Sequence, residues 1–200
     1  MVTSSKKLSV SKMTKIALLG ALSFVLMQFQ FPLPFFPDFL KIDASDLPAL
    51  IGGFALGPLS GVVIVLIKNI LHLPQTTSLY VGEVANFLVG AALVFPASVI
   101  YNKSKTKKMA IVGLAVGVVA MAVVGALMNL YVMLPLYTRL YELPMDVLVS
   151  FGTAVNANIT SLSTFILYAI IPFNLLKGVT VSILTILLYK RISPILHKGV

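Results

Sequence analysis

The chain has 200 residues, 58% of them hydrophobic and 10% charged, with a mean hydropathy of +1.02 and a net charge of +9. Several apolar stretches approach the length of about 20 residues that spans a bilayer, and no soluble core fits between them, so the chain reads as one all-α integral membrane domain. The absence of cysteine removes disulfide and thiolate-metal chemistry, and the basic excess sits at the edges of apolar runs, which argues against nucleic-acid binding.

The first apolar run, at about 13–31, follows Lys6, Lys7, Lys12 and Lys15. It is long and ends in no small-x-small cleavage site, so it reads as a retained helix and not as a secretory signal. Its segment "KIALLGALS" carries Ala17 and Ala21 four apart with Gly20 beside them. Small residues at that spacing form a groove that another membrane helix can approach. The connector at 32–44, "PLPFFPDFLKIDA", is stiff and apolar, more like a lid over something than a solvated loop.

The block from about 47 to 73 is ambiguous by hydropathy alone, because Gly57-Pro58 can break it into two short helices. Charge decides. A single span there would put either the basic N-terminus or the "KSKTKK" connector (Lys103, Lys105, Lys107, Lys108) on the outer side, against the positive-inside rule. Two short spans put both inside and give six transmembrane helices, at about 45–57, 58–73, 79–101, 109–135 and 162–189 after the first. Both termini then face the cytoplasm, with Lys190, Arg191 and Lys198 closing the last helix on that side. A re-entrant pair is the rival reading of the two short helices. "DASDLP" at the start of the second offers Ser45 or Asp46 as a cap before Pro48.

Polar residues inside apolar runs need partners other than lipid. Asn174 and Lys177, in "IIPFNLLKGVT", are three apart and share one helical face, and a charge at the centre of a lipid-facing helix costs roughly 3 kcal/mol or more. Asn129, in "GALMNLYVMLPLY", adds a further amide on the fifth helix. Hydrogen bonding between helices is the competing reading for either asparagine. Pro172 is placed to open the helix before Asn174. Lys68 and Glu83 lie at facing ends of adjacent helices, positioned to pair with each other, and Asn86 shares the face of Glu83.

Enzymatic readings fail on spacing. Gly52 and Gly57 have the spacing of a phosphate-binding loop, but Pro58 and Leu59 replace its lysine and hydroxyl residue. His72 and His197 are far apart and lack paired carboxylates, which argues against a metal site. Ser60 has His72 too far along its helix to serve as a base.

"KIALLGALS", "FPDFLKIDASDLPALIGGFALGPLSG", "ALMNLYVMLPLY" and "IIPFNLLKG" together resemble the substrate-binding S-components of energy-coupling-factor (ECF) vitamin importers. "FLKID", "LMN" and "PFNLLKG" are similar to the riboflavin-specific branch. The resemblance implies a six-helix S-component fold with cytoplasmic termini in the bacterial cell membrane, and a cavity beneath the first outer loop. It implies riboflavin as the transported ligand, flavin mononucleotide as a second candidate, and no cofactor. Leu40 would contact the flavin, and Asn129, Asn174 and Lys177 would hydrogen-bond it; apart from the resemblance, Phe39, Lys68, Glu83 and Asn86 are candidates for a secondary pocket by their placement in the chain. Ala17 and Ala21 would face the transmembrane coupling protein, which two ATP-binding-cassette ATPases drive. A different vitamin, such as thiamine or biotin, and a ligand-free structural protein are the alternatives.

Overall fold

A computed structural model of the chain describes residues 9–76, 78–140, 142 and 144–197. Lys6, Lys7 and Lys198 of the basic termini, and the side chain of His197, lie outside the described residues. Helix α1 (Val10–Met27) is capped by the Ser9 hydroxyl, which accepts from the Lys12 N–H. The chain then forms a two-residue antiparallel ladder, β1 (Phe31–Pro32) with β2 (Lys41–Ile42), so the lid is a β-hairpin. Two-residue strands carry no alternation that hydropathy can detect, so they are invisible to a reading of periodicity.

Helix α2 (Asp46–Leu56) and helix α3 (Pro58–His72) are separated at Gly57, whose φ of 104° is open to glycine and closed to most other residues. Pro58 starts α3 at the position where its missing N–H is harmless. Neither Ser45 nor Asp46 caps α2 through its side chain, contrary to the expectation from "DASDLP". Both side chains are engaged by Lys68 instead.

Helix α4 (Val81–Ser104) and helix α5 (Lys107–Met128) pack closely. Gly113 and Gly117, four apart on α5, let its backbone approach that of α4, and a Cβ at either would strike the carbonyl of Ala97 or Leu93. Beyond Met128 the helix widens into a π-turn, Asn129–Met133, before α6 (Leu134–Leu140). Helix α7 (Met145–Thr153) lies between the spans expected at 109–135 and 162–189, where the sequence reading placed no helix. Helix α8 (Leu162–Phe165) passes through a second π-turn, Ile166–Ile170, into α9 (Ile171–His197).

Both π-turns stand just ahead of a proline, Pro135 and Pro172, in two copies of Leu-Tyr-x-x-x-Pro. Proline cannot donate to the carbonyl four residues back and clashes with it, and an inserted residue relieves that conflict. The irregularity expected at Pro172 is therefore present, and α5–α6 contains a second.

Among the described residues, five helical stretches are long and apolar enough to cross a membrane: Val10–Met27, Pro58–Gln75, Val81–Ser104, Lys107–Leu140 and Leu162–Ile192. The apolar Asp46–Leu56 is shorter, about 16 Å at 1.5 Å per residue. Lys15 Nζ donates to the carbonyl of Leu196 at 2.8 Å, so the start of α1 lies against the end of α9. Two apolar clusters organise the molecule. The larger joins α1 to α5 with α9 from Val181 onward, around Leu50, Phe54, Ile64, Leu93 and Val181. A smaller cluster joins Leu40 of the lid to Leu134, Leu148, Phe165, Ile170 and Phe173.

Candidate functional site

A cavity of about 300 Å³ opens where the two clusters meet, at the lower end of the range of small-molecule sites. Its apolar wall includes Met121 of the larger cluster and Leu40 and Phe173 of the smaller. Leu40 is 8% exposed, and its neighbour Phe39 stacks on Phe165 with centroids 6.1 Å apart. Phe36 meets Phe173 edge-on at 5.4 Å. Aromatic contacts thus hold the hairpin down on α8 and the first turn of α9.

Asn129, Asn174 and Lys177 all line this cavity. Each asparagine is held by its own helix: Asn129 Nδ2 donates to the Gly125 carbonyl and Asn174 Nδ2 to that of Ile170, both at 2.9 Å. Gly125 makes room for Asn174, since a Cβ there would come within 2.6 Å of its amide nitrogen. That leaves each amide a second N–H and a carbonyl oxygen for other partners.

Lys177 is paired. Its Nζ donates to Asp43 Oδ2 at 2.8 Å, while Asp43 Oδ1 accepts the Ser45 N–H at 2.7 Å. Burial alone would raise the Asp43 carboxyl, but Lys177, aided by Lys68, holds it well below the usual carboxylate range. The sequence reading named Asn174 as the neighbour of Lys177 and missed Asp43. The signal was present in the lid's "KIDASD", of which only Ser45 and Asp46 were read, as a helix start.

The expected Lys68–Glu83 pair does not form. Lys68, fully buried, donates to Asp46 Oδ1 at 2.5 Å and to Ser45 Oγ at 2.6 Å. It sits behind the cavity wall, while Asp46 lines the cavity. Gly90 of α4 gives the Asp46 carboxylate its space. Glu83 pairs instead with His72 Nδ1 at 2.9 Å, so His72 does have a carboxylate partner. Glu83, Asn86 and Phe39 line the same cavity as Lys177, while Lys68 does not border it. Groups of three or more metal-ligating side chains are absent among the described residues.

On α1, Ala17 and Ala21 are exposed while Gly20 turns inward against Ile67. The small-residue stripe therefore faces outward and is open to a neighbouring helix.

The chain as a whole has counterparts among known proteins. The family described as "ECF transporter, substrate-specific component" matches residues 11–189. This chain belongs to that family. The S-component is 37% identical over 187 residues to the riboflavin transporter RibU of Staphylococcus aureus, covering 94% of this chain and 93% of the relative. It is 32% identical over 190 residues to the riboflavin transporter FmnP of Bacillus subtilis, covering 94% of each. A solved S component of a bacterial ECF transporter superposes with a TM-score of 0.72 at 34% identity, covering 94% of this chain and 98% of the other.

Proposed function

We propose that this S-component binds riboflavin at the lid end of its helix bundle and passes it inward together with an ECF coupling protein and two ATP-binding-cassette ATPases. The cavity carries this reading: an apolar wall for a flat ring beside amide and ammonium groups for its carbonyls. The matching relatives are named riboflavin transporters. Lys177 offers Nζ donors beyond the one given to Asp43, Asn129 and Asn174 offer amides, and Leu40 and Phe39 cover the ring from the lid. A neutral flavin needs no counter-ion, in keeping with a lysine already paired to aspartate. The protein acts without a cofactor and performs no chemistry on its ligand. Flavin mononucleotide is the second ligand to be compared.

In this reading α2 joins the five long helices as a sixth, short crossing, and both termini face the cytoplasm of a bacterial cell. The Lys15–Leu196 contact supports placing both ends on one side, as does the lysine-rich connector at 103–108. Ala17 and Ala21 form the docking stripe for the coupling protein.

Purified protein should carry a yellow ligand with a flavin absorption spectrum and the mass of riboflavin. Asn174→Ala and Lys177→Ala should weaken the quenching of flavin fluorescence; unchanged titrations in both would remove the site assignment. Ala17→Trp with Ala21→Trp should leave flavin binding intact and abolish uptake by cells that contain the coupling module. Normal uptake by that double variant would place the docking surface elsewhere.

A further inference from the structure

The lid has two faces. Phe36, Phe39 and Leu40 turn toward the bundle, and Gln30 lines the cavity. The rings of Phe29, Phe31 and Phe35 are turned outward, at 71%, 56% and 82% exposure, and none of the three borders the cavity. Three large rings left open together form an apolar patch of the kind that marks a contact with a partner or a membrane. On α1, Leu18, Leu22 and Val25 are exposed four and three residues apart, one row along the helix surface. Phe29 stands four residues further on, and its N–H donates to the Leu26 carbonyl at 3.2 Å, so the row runs from a membrane-crossing helix directly onto the lid. No charged residue stands between Lys15 and Asp38. Ala17 and Ala21 lie about 100° round the helix from Leu18 and Leu22, so the docking stripe proposed above is a separate face.

We infer that the outward face of the lid is a membrane-contact surface, with Phe29, Phe31 and Phe35 seated in the headgroup and upper acyl region of the leaflet at the lid end. The backbone suits that depth. Pro32, Pro34 and Pro37 have no N–H to leave unpaired, and the N–H groups of Phe36 and Leu40 donate to the carbonyls of Leu33 and Pro37 at 3.0 and 2.8 Å. Both features reduce the free donors that a region poor in water would leave unsatisfied. Asp38 and Lys41, both exposed, limit how far the lid can sink, since a charge is costly in hydrocarbon. Apolar rings next to charged groups are the pattern of a segment lying about 5–10 Å into the headgroup and acyl boundary. The lid is therefore held from both sides, by Phe165 and Phe173 beneath and by lipid outside. The inference goes beyond the riboflavin reading and does not depend on it, because it concerns only the face turned away from the cavity.

The test uses tryptophan fluorescence, because the chain contains no tryptophan and each substitution gives a single reporter. Full-length Phe35→Trp, stripped of any flavin, is placed in phosphatidylcholine nanodiscs, which leave both membrane faces open to solvent. Its emission should fall by about half when the lipid is brominated near the glycerol end of its acyl chains, and by less than about a tenth with aqueous iodide. Leu22→Trp, lower in the same row, should respond more to lipid brominated near the methyl end. Should Phe35→Trp lower the melting temperature, Phe31→Trp replaces it with the same expected order. Stronger quenching of the lid reporter by iodide than by either lipid would overturn the inference, since the patch would then face water. Quenching by none of the three would also overturn it, by showing the patch covered by a second copy of the chain. A lid reporter that favours the methyl-end label as strongly as Leu22→Trp does would overturn the interfacial depth.

Discussion

Two lysine–aspartate pairs lie next to each other in the chain's logic and do different work. Asp46 and Asp43 are separated by two residues, yet Asp46 takes Lys68 within the α2–α3 packing and Asp43 takes Lys177 across from the lid to α9. Lys68 is fully enclosed, shared between a carboxylate and the Ser45 hydroxyl, and has no face on the cavity. Lys177 is nearly as buried, at 4% exposure, but it borders the cavity. A buried lysine in a membrane helix therefore does not by itself mark a ligand site. The deciding feature is whether open space adjoins its ammonium group.

Breaking each pair should separate the two roles. The largest effect is expected from Lys68→Met, which strands Asp46 in a dry interior and should destabilise the fold by about 3–5 kcal/mol. A lowered melting temperature in detergent would record this, and Asp46→Leu in the same protein should recover much of it. Lys177→Ala should act mainly on binding, weakening flavin by about ten- to a hundredfold, the range for hydrogen bonds to a charged donor. If Lys177→Ala instead lowered the melting temperature as far as Lys68→Met and left affinity unchanged, the distinction between the pairs would collapse.

Smaller changes sharpen the cavity side. Gly125→Ala presses on the Asn174 amide and should cost about tenfold in flavin affinity through misplacement of one hydrogen bond. Phe39→Ala removes the stack on Phe165, worth about 0.5–1.5 kcal/mol, and should appear as a severalfold faster flavin release in stopped-flow fluorescence. The smallest expected effect is that of mild acid. Because the Asp43 carboxyl is depressed in the folded protein, its contribution is complete above the unfolded value of 3.8 and fades only as pH falls toward the lower folded one. Melting temperatures of the native protein and Asp43→Asn should therefore run parallel from pH 7 to about pH 5 and converge only in stronger acid.

Much of this was legible in the sequence because it follows from periodicity and cost. Asn174 and Lys177 both lie beyond the second π-turn, so the regular i, i+3 rule held for them. The Gly57-Pro58 break was readable because only backbone chemistry was involved. Pairings between elements were not. Lys68 and Glu83 looked matched by depth, but depth says nothing about rotation, and Asp46 and His72 were nearer in three dimensions. Helix α7 was hidden within a stretch whose turn-forming residues read as connector.

The repeated Leu-Tyr-x-x-x-Pro segments carry one more consequence, for how the chain tolerates insertions and deletions. Each π-turn adds a residue to its helix, and one residue amounts to about 100° of rotation in an α-helix. The outer part of α5–α6, with Tyr137 on the cavity wall, and α8, with Phe165 under the lid, are thus set out of phase with the helices they extend. Removing a single residue from either turn would leave composition and hydropathy almost unchanged while swinging one of those aromatic rings away from its place. Within these two short segments, the count of residues matters more than their chemistry.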